Sequence, residues 1–165
     1  MKVNGIEELS EMLTAMEERA PAVASKALYE GAGIMADEIR KGAASIRTAP
    51  FKWASSSKGE TRLPSPEEVE IVQTAAAGIA KFNKNGTEVD TSVGFRNAGY
   101  AELKGKMVPI PKIVNAINSG TSFMKKQPFV RKSAAQATPK ALKAMRECIE
   151  AEFEAIGKEY KASMK

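Results

Sequence analysis

Apolar residues fall at helical spacing in five stretches of the chain and at strand spacing in one. Ile6, Leu9, Leu13, Met16 and Ala20 lie one helical turn apart behind Asn4-Gly5-Ile6-Glu7, which has the Asx-x-x-Glu form of a capping box. They predict an amphipathic helix over about 5 to 20. Pro21 suits the first position of a new helix, and Leu28, Ala32, Met35, Ile39, Ala43 and Ile46 share one face of it. Periodicity then stops, and the Pro, Gly and Ser of 48 to 66 mark a long irregular loop of the kind that is usually functional or disordered.

Ser65-Pro66-Glu67-Glu68 supplies a cap, an N1 proline and acids that complement the helix dipole, with Val69, Val72, Ala76, Ile79 and Ala80 as the buried stripe. That helix is expected to end near Phe82. Val89, Thr91, Val93 and Phe95 then alternate with polar residues and glycine at the period of a half-buried strand. A second extended stretch is expected from about Met107 to Ile110, where Pro109 suggests a sheet edge. Pro111 suits the start of a short helix bearing Val114, Ala116 and Ile117 and stopped at Asn118-Ser119-Gly120. Thr138 as cap and Pro139 at N1 open the last element, a helix to about 162 carrying Leu142, Met145, Ile149, Phe153, Ile156 and Tyr160. These elements define an α+β class: a helix-rich single domain with a small antiparallel sheet, covered by the second and last helices, and a long C-terminal helix.

Composition narrows the chemistry. The 165 residues suit one domain, 1 to 165, and 43% hydrophobic against 27% charged residues is a globular balance. There is no histidine and one cysteine, Cys148, so a disulfide within the chain and a Cys/His zinc site are excluded, as are Ser-His and Cys-His nucleophile pairs. No phosphate loop or EF-hand pattern is present. Glu150 with Glu154, and Glu67 with Glu70, read as solvated helix charges, and Cys148 as a small core residue. The expectation is a non-enzyme with no catalytic residues, no metal and no cofactor. No apolar run approaches the roughly 18 residues of a membrane span, and the N-terminus has no secretory h-region, so an aqueous, cytoplasmic setting is expected.

The net charge of +5 is unevenly placed. Residues 1 to 95 carry 11 Lys/Arg against 14 Asp/Glu, residues 96 to 146 carry 11 against 1, and residues 147 to 165 carry 3 against 5. The middle block holds Arg96, Lys104, Lys106, Lys112, Lys125, Lys126, Arg131, Lys132, Lys140, Lys143 and Arg146. It reads either as an ordinary solvated surface or as a positive face toward DNA or an acidic protein patch. The block lacks the interleaved aromatics that stack bases.

The stretch from Ile117 to Arg131 contains Gly120-Thr121-Ser122, Met124 and Pro128-Phe129-Val130-Arg131. It resembles the Gly-Thr-Ser, Met, Pro-Phe-Leu-Arg signature of the phage morphogenesis family, the neck or tail-completion (head-tail joining) proteins of long-tailed bacteriophages. The Gly-Ile-Glu-Glu-Leu start, Ala-Asp-Glu-Ile-Arg at 36 to 40 and Val-Gly-Phe at 93 to 95 agree in order. The sequence departs from the family just before Gly120: Lys112 to Ser119 replaces an aromatic run bearing a glutamate.

The resemblance implies a structural virion protein, assembled in the host bacterial cytoplasm as a homomeric ring, a hexamer, between head connector and tail tube or terminator. No catalytic residues come with it, and any DNA contact is expected to be transient and non-specific. Phe51 and Trp53 in the loop are candidates for anchoring in a neighbouring subunit or for folding onto their own core. Gly120, Thr121, Gln127, Pro128, Phe129 and Arg131 are interface candidates that also admit a structural reading, in which Gly120 ends a helix, Thr121 bonds the turn and Phe129 packs under the last helix. Lys104, Lys106, Lys112, Lys125, Lys126 and Lys132 are the basic-surface candidates. Two other functions compete with the ring: a nucleic-acid-binding protein using residues 96 to 146, and an assembly factor absent from the finished virion.

Overall fold

Two long helices set the layout of the chain in the computed structural model, which describes residues 4–50, 58–75, 77–79, 83–85, 88–95 and 98–163. Helix α1 (Asn4–Ala44) has 41 residues and helix α4 (Phe129–Ser163) has 35, so at 1.5 Å per residue they are about 60 and 50 Å long. They pack antiparallel. Arg19 lies across from Glu159 (2.7 Å) and Lys26 across from Glu152, seven residues forward in one helix for seven back in the other, and Lys140 reaches Glu38 at 3.4 Å.

Small residues line the seam. Val23, Ala27, Ala32 and Ala36 of α1 are buried there, as are Ala137, Ala141, Cys148 and Ile156 of α4. A Cβ on Gly31 would collide with the Met145 side chain, and one on Gly42 with Ser133 Oγ, so both glycines mark close approach of the helices. Burial, and after it Glu30, push the Cys148 thiol pKa up. The outer half of this pair, the arm, projects from a head built by the middle of the chain.

The head contains α2 (Pro66–Ala75), α3 (Ile110–Ser119) and three antiparallel strand pairs. Strand β1 (Gly78–Ile79) pairs with β4 (Val93–Gly94), β2 (Asn83–Asn85) with β3 (Glu88–Asp90), and β5 (Tyr100–Leu103) with β6 (Lys106–Pro109). Between β5 and β6, Lys104 (φ 54°) and Gly105 (φ 74°) both take positive φ, the requirement of a type I′ hairpin turn. The core gathers Ile39 and Ala43 from α1 and Ile46 just after it, Val69 and Val72 from α2, Ile110, Ile113, Val114 and Ile117 from α3, and Phe95, Met124 and Phe129. Ile117 and Val72 are fully buried, each worth roughly 1.5–3 kcal/mol of apolar transfer.

The helix-rich α+β class and the long C-terminal helix are as expected from sequence; several boundaries are not. Pro21 and Pro139 lie inside α1 and α4. The break expected at Pro21 is absent, and the last helix starts ten residues before Pro139. Each proline removes one ladder bond, at a cost near 3 kcal/mol that packing along the seam offsets. Thr138 is not a cap: its hydroxyl donates to the Ala134 carbonyl (2.8 Å), as Ser25 donates to Pro21 (2.7 Å). The third expected helix stops at Ala75, short of Phe82, and Ile79 lies in β1. The strand expected over 89 to 95 is divided between β3 and β4, with Thr91 and Ser92 between them. α4 packs chiefly on α1, while α1, α2 and α3 contact the strands, so the last helix is not a cover for the sheet.

The apolar stripes also need correction. Leu9 (52% exposed), Leu13 (55%) and Leu142 (60%) were expected on buried faces and stand in solvent, and Ile149 is exposed beside Cys148.

Candidate interface surfaces

The segment between α3 and α4 joins the head to the arm, and each of its turns has an identifiable cause. Gly120 ends α3 with φ 77°, its N–H donating to the Ala116 carbonyl (3.0 Å), and an added Cβ would press on Lys126. Only glycine tolerates both the left-handed backbone and the close neighbour. The Thr121 hydroxyl accepts from the Met124 N–H (3.0 Å) and the Phe123 N–H (3.3 Å), which turns the chain and buries Met124. There the segment meets the remote residue Arg62, whose N–H donates to the Phe123 carbonyl while the Lys125 N–H donates to the Arg62 carbonyl, both at 2.8 Å.

Gln127 acts as a clamp. Its backbone N–H donates to the Ile117 carbonyl (2.8 Å), its Oε1 accepts from the Arg47 N–H (3.0 Å), and its Nε2 donates to the Arg47 carbonyl (2.8 Å). A side-chain amide thus takes both hydrogen-bonding groups of a remote residue, as a strand neighbour does. Asn118 Oδ1 accepts from the Val130 N–H (3.1 Å) in the first turn of α4. Phe129 is buried and meets Phe95 edge to face, with ring centroids 6.2 Å apart.

Arg62 is also half of the head's buried ion pair. Its two terminal nitrogens donate to Glu68 Oε1 and Oε2, each at 2.6 Å, with the Arg62 and Glu68 side chains only 11% and 6% exposed. The Ser65 N–H donates to Glu68 Oε2 (2.8 Å) and the Glu68 N–H donates to Ser65 Oγ (3.3 Å), a reciprocal capping box at the start of α2. Burial alone would raise the Glu68 pKa. The hydrogen bonds from Arg62 and Ser65, with the charge of Arg62, outweigh it and hold the carboxyl below its ordinary value.

The structure sorts the interface candidates into three groups. Phe51 and Trp53 lie outside the described residues. Gly120, Gln127 and Phe129 are spent on internal geometry, with Pro128 half-buried between the last two. Thr121 and Arg131 are exposed, though the Thr121 hydroxyl is already engaged in its turn.

All six basic-surface lysines are exposed but are not one patch. Lys104 and Lys106 sit at the β5–β6 turn, Lys112 lies on α3, and Lys125 lies beside the Arg62 bridge. Lys126 and Lys132 share a cleft of about 190 Å³ with Arg47, a residue that the sequence pattern did not single out. Arg47 precedes the basic block, and the Gln127 clamp holds it there. This cleft has three cations and no carboxylate in its lining, so it attracts anions.

Large apolar side chains are exposed on two surfaces. On the head, Tyr100 and Met107 project from the outer face of the β5–β6 hairpin, and Tyr100 borders a cleft of about 360 Å³ shared with Glu67, Glu70 and Ile71. The second surface is the arm, with Leu9, Leu13, Leu142 and Ile149. Among the described residues no three His, Cys, Asp or Glu side chains are grouped so as to hold a metal, and no helix is long and apolar enough to cross a membrane. No family model, curated protein or solved structure matches the chain.

Proposed function

We propose that this chain is a structural subunit of a tailed bacteriophage, assembling with copies of itself into a ring at the neck that joins or completes the tail at the head-tail interface. The observation that carries the reading is the amount of large apolar side chain left exposed on a well-packed body. Tyr100 and Met107 are each 67% exposed on the head, and Leu9, Leu13 and Leu142 are similarly open on the arm. Scattered single apolar residues are ordinary on a surface; pairs a helical turn apart or on one face of a hairpin fit protein contact.

The 117 to 131 signature supports the same reading in a different way. Its residues lock the arm to the head through Arg62, Arg47, α3 and α4, which makes the motif a device for fixing subunit shape. A ring needs such a device, because a small error in the angle between two contact surfaces prevents closure.

Two experiments test the proposal. Light scattering across a concentration series should show a closed assembly near six copies, and disruption of the gene in its phage should leave filled heads and finished tails unjoined. Joined particles lacking the chain would refute it. The Arg47, Lys126 and Lys132 cleft favours one competing function, duplex DNA binding, which would show as affinity falling steeply with salt.

A further inference from the structure

The first turns of α1, at the tip of the arm, and the first turns of α4, at its base, are chemically opposite. Residues 4 to 18, at the tip, contain five glutamates (Glu7, Glu8, Glu11, Glu17, Glu18) and no lysine or arginine, whereas residues 131 to 146, at the base, contain five cations (Arg131, Lys132, Lys140, Lys143, Arg146) and no acid. Each end also carries an exposed leucine one turn from a charge of its own sign: Leu13 before Glu17, and Leu142 before Arg146.

The tip of α1 stays in contact with α4: Arg19 meets Glu159, and the Tyr160 hydroxyl donates to Glu11 Oε2 (2.6 Å). Leu9 and Leu13 nonetheless stand in solvent as an apolar pair one helical turn apart.

The two ends cannot meet within one chain. Lys140 of the base sits against Glu38, and Leu13 precedes Glu38 by 25 residues of continuous helix, about 38 Å at 1.5 Å per residue. Arg131, Lys132 and Arg146 of the base are exposed and have no acidic partner among the described residues.

We propose that the acidic, leucine-bearing tip of one copy docks on the basic base of α4 in a second copy, Leu9 and Leu13 covering Leu142 while Glu17 and Glu18 meet Lys143 and Arg146. One tip and one base per subunit make the contact heterologous, and heterologous contacts propagate until they close. Closure as a ring rests on the function proposed above; the contact itself does not. Because the complementary charges are exposed, assembly should weaken as salt rises.

The test is a charge swap read by sedimentation mass, with helix content checked by circular dichroism. Glu17→Arg with Glu18→Arg reverses the tip, and Lys143→Glu with Arg146→Glu reverses the base. Each variant alone should assemble at least tenfold more weakly than wild type, because like charges then face each other. An equimolar mixture should recover assembly, since each reversed tip finds a reversed base. Leu13→Ser should weaken assembly without rescue by either partner. A wild-type ring with both charge variants assembling normally would overturn the contact and leave the ring standing. A wild type that stops at two copies while the swap rescues would keep the contact and overturn the ring. A wild-type chain monomeric at millimolar concentration and low salt would overturn the contact.

Discussion

The head and the arm are stabilised by different kinds of information. In the head, side chains from α1, α2, α3, β4, β5 and β6 converge on one cluster, and the Arg62–Glu68 pair is buried where the chain enters α2. Local contacts such as that pair, six residues apart, are tied together there by the joints that the 117 to 131 segment makes to Arg62 and Arg47. In the arm, two helices meet along a seam of alanine, glycine and cysteine, with exposed ion pairs at its edges. The head depends on a few specific joints, whereas the arm depends on many small repeated ones.

The sharpest way to break that contrast is to remove one half of the buried pair. Glu68→Ala should lower stability by about 3–5 kcal/mol, because it strands the Arg62 guanidinium in the head. Urea denaturation measures this, and a loss below about 1 kcal/mol would mean that Arg62 reaches solvent or another acceptor. Acid should work on the same joint. The Glu68 pKa is lowered on folding, so its contribution is fully present above the ordinary carboxylate value of 4.5 and is lost as pH falls through the lower folded value. The Glu68→Ala protein should lack that part of the acid transition.

Next in size is the junction. Gly42→Val places side-chain atoms where Ser133 stands and forces α1 away from α4 at the base of the arm, at a cost of roughly 1–3 kcal/mol in thermal or urea melts. Gln127→Glu keeps the shape of the clamp but turns an acceptor toward the Arg47 carbonyl. It should cost about 1–2 kcal/mol and speed amide exchange at Arg47. At the small end, Lys26→Ala removes an exposed arm ion pair and should leave the urea midpoint within error. A large loss there would show that the arm's edges matter more than its seam.

Legibility in the sequence divides along the same line. The Ser65-x-x-Glu68 start, the helix ended by Gly120 and the Thr121 turn were legible because each is decided within a few residues. Pro21 and Pro139 misled for the same reason: locally each is a good helix start, and only the long antiparallel seam makes it an interior residue. Strand β5 went unread because Tyr100 to Leu103 is short and its turn uses Lys-Gly in place of Asn-Gly. The Arg62 and Arg47 joints had no signal at all, since each is made across a gap of some 60 to 80 residues and engages the backbone of the arginine, which every residue type carries. The stripes at Leu9, Leu13 and Leu142 show a further gap: periodicity marks an apolar face without saying whether its own chain covers it.

The one-for-one antiparallel register of the arm gives it the properties of a ruler. A residue added to one helix shifts every pairing beyond it, but the same number added to both, in multiples of seven, restores the seam and touches nothing in the head. Each such step lengthens the arm by about 10 Å. Reach can therefore be changed by insertion or deletion while the head stays as it is, so two chains of this architecture can share a body and differ only in how far they extend.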